Sequence, residues 1–249
     1  MASSDGLTAS RFMKTSLLLA FVAVLLLVLR ARAGATEPAS QRAAAVATQG
    51  TPAQGGGASL IPFYSTADFT AEWLAPVDPR YARIHRVGPF SLRDQQGELV
   101  SNASLRGKLY VASFFFTQCT SLCPKMLVNL RRVQRAFQDE PRVILVSHSV
   151  MPSVDSEAVL RRYARENGVD GQKWKLVSGD KETVYALARR SYFAEKRAGL
   201  RKSDRELLHT ENMLIVDGEG RLRGVFNATL PVEADRAIDE LRQLLRELP

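Results

Sequence analysis

The chain has 249 residues, 45% of them hydrophobic, and sets 34 Lys and Arg against 26 Asp and Glu for a net charge of +8. Four of those bases and one acid fall in the first 33 residues, so the remainder carries only +5, too little for a dedicated nucleic-acid binder, which concentrates basic residues on one face. Two Cys and three His exclude a disulfide scaffold and a four-thiolate zinc site, so metal or redox chemistry must pass through Cys119, Cys123, His85, His148 and His209.

The uncharged apolar run from Thr15 to Leu29 follows Arg11 and Lys14 and precedes Ala31-Arg32-Ala33 and Ala33-Gly34-Ala35, small-residue patterns of an export signal. Its fifteen residues would rise about 22 Å as a helix, short of the roughly 30 Å hydrocarbon core. Residues 1–33 therefore read as a signal peptide or as a short signal anchor extended by Phe12, Met13 and Lys14. Residues 34–58, rich in Ala, Thr, Gln, Gly and Pro, read as a flexible linker, because such a composition buries too little apolar surface to order itself. Residues 59–249 are the expected domain, and Phe63, Tyr64, Phe69 and Trp73 suggest that residues 60–86 pack along it as an N-terminal extension.

From Val87 onward, β-rich runs alternate with helical patterns, which predicts an α/β domain with a mostly parallel sheet flanked by helices. Residues 89–100 resemble a small hairpin. The apolar runs 109–117, 142–147 and 174–178 predict buried strands, and 213–217 and 222–227 two more joined by a Gly-Glu-Gly turn. Helices are expected after Pro124, over 155–167 with Asp155 or Ser153 as cap, over 181–190 and over 232–248.

Cys119-Thr-Ser-Leu-Cys123-Pro124 lies between the most apolar strand and the next helix, with Cys123 the expected N-cap and Pro124 the first helical residue. A helix N-terminus carries partial positive charge and draws a thiol toward the thiolate, the reactive and metal-binding form. In an open α/β sheet, ligands bind at the carboxyl ends of strands, where this pair sits. The residues alone leave open a structural disulfide, two buried thiols, a redox pair and a metal clamp. His209 precedes a strand on a loop that could reach the pair, and two thiolates with one imidazole form a soft donor set suited to copper and acceptable to zinc.

The run Phe114-Phe115-Phe116-Thr117-Gln118-Cys119-Thr120-Ser121-Leu122-Cys123-Pro124, then Val154-Asp155-Ser156, then His209 ahead of Leu214-Ile215-Val216-Asp217-Gly218-Glu219-Gly220, resembles the Sco/SenC family over about residues 87 to 248. The resemblance implies a thioredoxin-like fold that is membrane-tethered and faces away from the cytoplasm. It implies copper, as Cu(I) or Cu(II), held by Cys119, Cys123 and His209, and assistance in assembling the copper centre of cytochrome c oxidase. The expected partner is the copper-binding subunit of that oxidase or another copper or thiol protein. The expected location is a bacterial cell membrane, with one N-terminal anchor and the domain in the periplasm or another extracytoplasmic space.

One departure is Met151-Pro152, where the family commonly carries Asp-Pro; it replaces a carboxylate near the site by a thioether, itself a soft group. His148, at the end of the same strand, is an auxiliary ligand or proton acceptor, or a packed residue, and His85 is expected to be structural or on the surface. The basic segment Arg197 to Glu206 is expected to be a mobile loop, solvated or engaged with metal or an acidic partner. The competing function is an extracytoplasmic thiol-disulfide oxidoreductase that reduces cysteines of a partner, using Cys119 and Cys123 as the redox pair without His209. A thiol peroxidase is weaker, because no separate peroxidatic motif is present.

Overall fold

Leu109–Phe115 is buried at every position, as expected of a central strand covered on both faces, and it organises the fold. The computed structural model describes residues 61–194 and 210–248. The expected signal segment 1–33, the linker 34–58, the basic segment 197–206 and His209 lie outside these residues. Among the described residues no helix is long and apolar enough to cross a membrane.

The chain enters through a short hairpin, β1 (Phe63–Tyr64) and β2 (Ala71–Glu72), and a second one, β3 (Ser91–Arg93) and β4 (Leu99–Ser101), followed by the single turn α1 (Asn102–Leu105). There follow β5 (Leu109–Phe115), α2 (Leu122–Ala136), β6 (Val143–Ser149), α3 (Glu157–Glu166), β7 (Trp174–Val177), α4 (Lys181–Arg190), β8 (Asn212–Val216), β9 (Leu222–Asn227) and α5 (Pro231–Glu247). The main sheet has the order β7-β6-β5-β8-β9. β7, β6 and β5 run parallel, whereas β8 pairs antiparallel with both β5 and β9. The expectation of a mostly parallel sheet thus holds for strand direction, while half the pairings in the sheet are antiparallel. The short Asp217–Arg221 turn accounts for the β8–β9 pairing, since it can only return the chain antiparallel.

Alternation along β5 divides the interior into two layers. Leu109, Val111 and Phe115 pack with Met126, Leu130 and Val133 of α2, Leu160 of α3 and Leu241 of α5. Tyr110, Ala112 and Phe114 pack on the other face with Leu92, Val100, Val184 and Tyr192. Each such large apolar side chain, fully buried, contributes about 1.5–3 kcal/mol, so a two-sided sheet needs no disulfide to hold it.

The N-terminal extension packs through Phe63, Leu74 and Ile84, with Tyr64 and Phe69 partly buried, whereas Trp73, expected to pack with them, is exposed. The extension is pinned to the sheet edge by two buried arginines, Arg221 just ahead of β9 and Arg223 within it. Arg223 lies 4.3 Å over the Phe63 ring and donates to the Ile61 carbonyl at 2.9 Å, while Arg221 donates to the Tyr81 hydroxyl at 2.6 Å. Buried Asp217 accepts from Arg221 at 2.8 Å and from Arg223 at 3.3 Å, which keeps both guanidinium groups paired.

Two expected caps differ. The cap of α3 is Ser156, whose hydroxyl accepts from the Val159 amide, rather than Asp155 or Ser153. α2 begins two residues before the expected place, at Leu122, with Ser121 in the cap position and Cys123 inside the first turn. Pro124 is still tolerated there, because the amides of a first helical turn have no partner within the helix.

Candidate metal centre

Cys119 and Cys123 stand where β5 gives way to α2, at the carboxyl end of the central strand. The Ser121 side chain makes no capping hydrogen bond; the Cys119 sulfur takes that place, accepting from the Cys123 backbone amide at 3.4 Å. It also lies 3.8 Å from the Ser121 hydroxyl. Cys119 is partly exposed, Cys123 is buried against the α2 core, and both are free thiols.

The two thiols differ in acidity. Burial works to raise Cys119, but the Cys123 thiol, the Cys123 and Ser121 amides and the Ser121 hydroxyl outweigh it and bring the group down to about 7. Burial, reinforced by the hydrogen bond that Cys123 gives to Cys119, pushes Cys123 up to about 12. One proton shared between two sulfurs at a helix N-terminus produces this split, because the thiolate that forms first is the more solvated one and takes the helix amides. Such a pair can attack a disulfide through Cys119, or take up a soft cation that replaces the shared proton.

A polar seam supports the loop. Buried Asp155 accepts from the Thr117 hydroxyl at 2.5 Å, the Thr117 amide at 3.3 Å and the Ser149 hydroxyl at 2.6 Å, and so bridges the ends of β5 and β6. Tyr163 of α3 packs on Phe115, with ring centroids 5.7 Å apart. Its hydroxyl is pushed up to about 12, by burial first and then by the nearby charges of Cys123, Cys119 and Asp155. Sequence reasoning read Asp155 only as a helix cap and missed Thr117, Ser149 and Tyr163. The available signal was an Asp directly ahead of Ser156, an equally good cap, which leaves one of the two free for other work.

His148 is not part of this centre. It pairs in register with Phe114, on the opposite face of the sheet from Phe115 and Cys123. Its ring is fully buried, stacked 5.1 Å from Phe114 and edge-on to Phe90 at 6.0 Å, with Nδ1 3.3 Å from the Ser113 carbonyl and Nε2 without a partner among the described residues. Burial lowers its pKa to about 4. The idea of an auxiliary ligand is thereby corrected: the two-residue period of β6 turns the imidazole away from the thiols. Of the two expectations for His85 the structural one holds, its Nε2 donating to the Ser191 carbonyl at 2.9 Å and its ring 4.6 Å from that of Phe193.

His209 lies outside the described residues, which resume at Thr210. Because β8 is antiparallel to β5, with Leu214 opposite Ala112, Thr210 lies toward the end of the sheet at which β5 finishes and Cys119 follows. Among the described residues no group of three or more His, Cys, Asp or Glu is placed to hold a metal ion.

Residues 79–246 match the family model described as SCO1/SenC. The chain is similar to the SCO1 protein homolog of Bacillus subtilis (strain 168), 26% identical over 163 residues that cover 64% of this chain and 82% of that protein. It is similar to the structure of ScoI of Bradyrhizobium japonicum with copper bound, at 27% identity and a TM-score of 0.51 over 64% of this chain and 98% of that one. BsSco, a member of the Sco family of cytochrome c oxidase assembly proteins in which a disulfide switch has been identified, shares the fold at 24% identity and a TM-score of 0.54, over 64% and 93% of the two chains.

Proposed function

The chain belongs to the SCO1/SenC family, and from that premise we propose that it is a membrane-tethered copper-binding protein that assists assembly of the copper centre of cytochrome c oxidase through Cys119, Cys123 and His209. The observation that carries this reading is the pair of free thiols at the N-terminus of α2, with Cys119 held near pH 7 as a thiolate and Cys123 protonated beside it. Copper is cargo in this reading. Two sulfurs and an imidazole match a soft monovalent or borderline divalent copper ion, and the ion's charge takes over from the Cys123 proton. The imidazole is drawn from His209, one residue before Thr210. Cys119, the more exposed sulfur, is the ligand that a thiol of the acceptor meets first. Residues 1–33 serve as the anchor and 34–58 as the tether, which leaves the domain on the side away from the cytoplasm.

Copper titration of the full reduced chain tests this. Wild type is expected to bind about one ion, and Cys119→Ser, Cys123→Ser and His209→Ala each to lose most of that binding, since two remaining donors under-coordinate the ion. A reduced wild-type chain that takes up no copper overturns the copper reading, and a His209→Ala chain with unchanged affinity overturns the third ligand.

The same asymmetry between the thiols favours a second reading, an extracytoplasmic thiol-disulfide oxidoreductase in which Cys119 attacks and Cys123 resolves. That reading requires both cysteines and not His209. Full support of oxidase assembly in cells by His209→Ala, with loss in both cysteine variants, selects it over the first.

A further inference from the structure

The geometry points to Asp155 as the positioning residue of the thiol pair: a buried carboxylate that ties the end of β5 to the end of β6 and so holds Cys119 over the N-terminus of α2. This rests on the reading of Cys119 and Cys123 as the working pair, and not on copper being their ligand.

Asp155 is fully buried and spends both oxygens on strand ends. Oδ1 accepts from the Thr117 hydroxyl at 2.5 Å, Oδ2 from the Ser149 hydroxyl at 2.6 Å, and the Thr117 amide lies 3.4 and 3.3 Å from the two. Hydroxyl and amide donors from two separate strand ends converge on this one carboxyl group, so it fixes the two ends relative to each other. Thr117 is two residues before Cys119, and the Cys119 amide donates to the Phe116 carbonyl at 3.2 Å, so the turn that presents the sulfur begins at the anchored residue. On the other side the Ser149 hydroxyl accepts from the Met151 amide at 3.1 Å, and the Asp155 amide donates to the Met151 carbonyl at 2.9 Å. The seam is therefore closed: β5 end, carboxylate, β6 end and the approach to α3 form one hydrogen-bonded ring.

Helix capping does not account for this placement, because Ser156 caps α3. A side chain that passes over its local role to bridge two strand ends beside a reactive sulfur is the kind of departure expected at a working site. The Cys119 sulfur depends on its 3.4 Å contact with the Cys123 amide. A loop shift of a few tenths of an ångström would weaken that contact, which makes the anchor's rigidity matter for thiol chemistry.

The test uses the full chain, copper-free and reduced, in four forms: wild type, Asp155→Asn, Thr117→Val and Thr117→Ser. Two readouts are taken on protein shown to be folded by circular dichroism. One is the rate of iodoacetamide alkylation at Cys119 at pH 7, located by peptide mass spectrometry. The other is the equilibrium with glutathione, in which one glutathione disulfide and the two protein thiols exchange for the Cys119–Cys123 disulfide and two glutathione thiols. Asp155→Asn and Thr117→Val are expected to slow alkylation at least fivefold and to shift the equilibrium toward the protein disulfide by a similar factor, because the reduced form loses its hydrogen bonds to sulfur. Thr117→Ser keeps the hydroxyl and is expected to stay within twofold of wild type. If Asp155→Asn does not fold, the Thr117 pair decides alone. Folded Asp155→Asn or Thr117→Val chains with wild-type rates overturn the proposal, and so does a Thr117→Ser chain that falls as far as Thr117→Val. Neither outcome touches copper binding, whose own failure leaves this result standing.

Discussion

Cys119 and His148 follow or end neighbouring parallel strands, carry donor atoms that bind soft metals and differ by one sheet face. Both are subject to burial, and burial pushes them in opposite directions, the thiol up and the imidazole down, since each is driven toward its neutral form. For Cys119 hydrogen bonds to sulfur reverse the effect and leave a thiolate near neutral pH. For His148 the contact to the Ser113 carbonyl does not, and the ring stays neutral among Phe90, Phe114 and Tyr192. Donor identity therefore says little about function; which face of the sheet a donor occupies, and whether amides point at it, says most.

The largest difference between the two faces is expected in metal binding. Cys123→Ser should abolish most of the uptake of about one copper ion per chain, while the near-isosteric His148→Leu should leave it unchanged; the opposite pattern in a copper titration breaks the comparison. Next come two cavities of similar size. Leu160→Ala on the thiol side and Leu214→Ala on the other, both fully buried, should each cost about 2–5 kcal/mol in urea unfolding. Only the first should also slow alkylation of Cys119, because Leu160 follows Asp155 closely on α3. A smaller effect concerns acid.

His148 has its pKa lowered from 6.5 to about 4 in the folded chain, so the folded state holds the proton less tightly than the unfolded one. The stability tied to it is complete above pH 6.5 and is lost as the pH falls toward 4, by about 3 kcal/mol at 1.36 kcal/mol per unit. Unfolding midpoints at pH 7.5 and pH 4 should therefore lie closer together in His148→Leu than in wild type; an unchanged gap refutes the buried neutral imidazole. The finest distinction lies within the thiol pair. Alkylation of Cys119 should rise with a midpoint near pH 7 and that of Cys123 only far above it, following thiolates at about 7 and about 12. Two cysteines titrating together would contradict the split.

Most of the scaffold was legible. The hairpin of β3 and β4, the bounds of α4, the five strands of the main sheet and the packing of residues 61–86 all follow from apolar periodicity and turn residues, which act locally. The helix starts were less legible. Ser156 and Asp155 are both good caps, and the choice between them was made by Thr117 and Ser149, 38 and 6 residues away along the chain. The orientation of His148 was not legible either. β6 is buried on both faces: Val143 to Val146 are all apolar and Ser147 to Ser149 all polar, so the alternation that normally distinguishes in from out is missing.

The sequence by itself determined the inventory: two thiols ahead of a helix at the end of the most apolar strand, a histidine before β8, and enough apolar periodicity to build the sheet that carries them. Local spacing suffices for that, because turns and the apolar runs of strands and helices are properties of a few consecutive residues. Only the tertiary structure decided which donors share a face, which thiol loses its proton first and what anchors the loop between them. Those depend on strand register, on burial and on a carboxylate brought from another element, and none of these is a property of neighbouring residues.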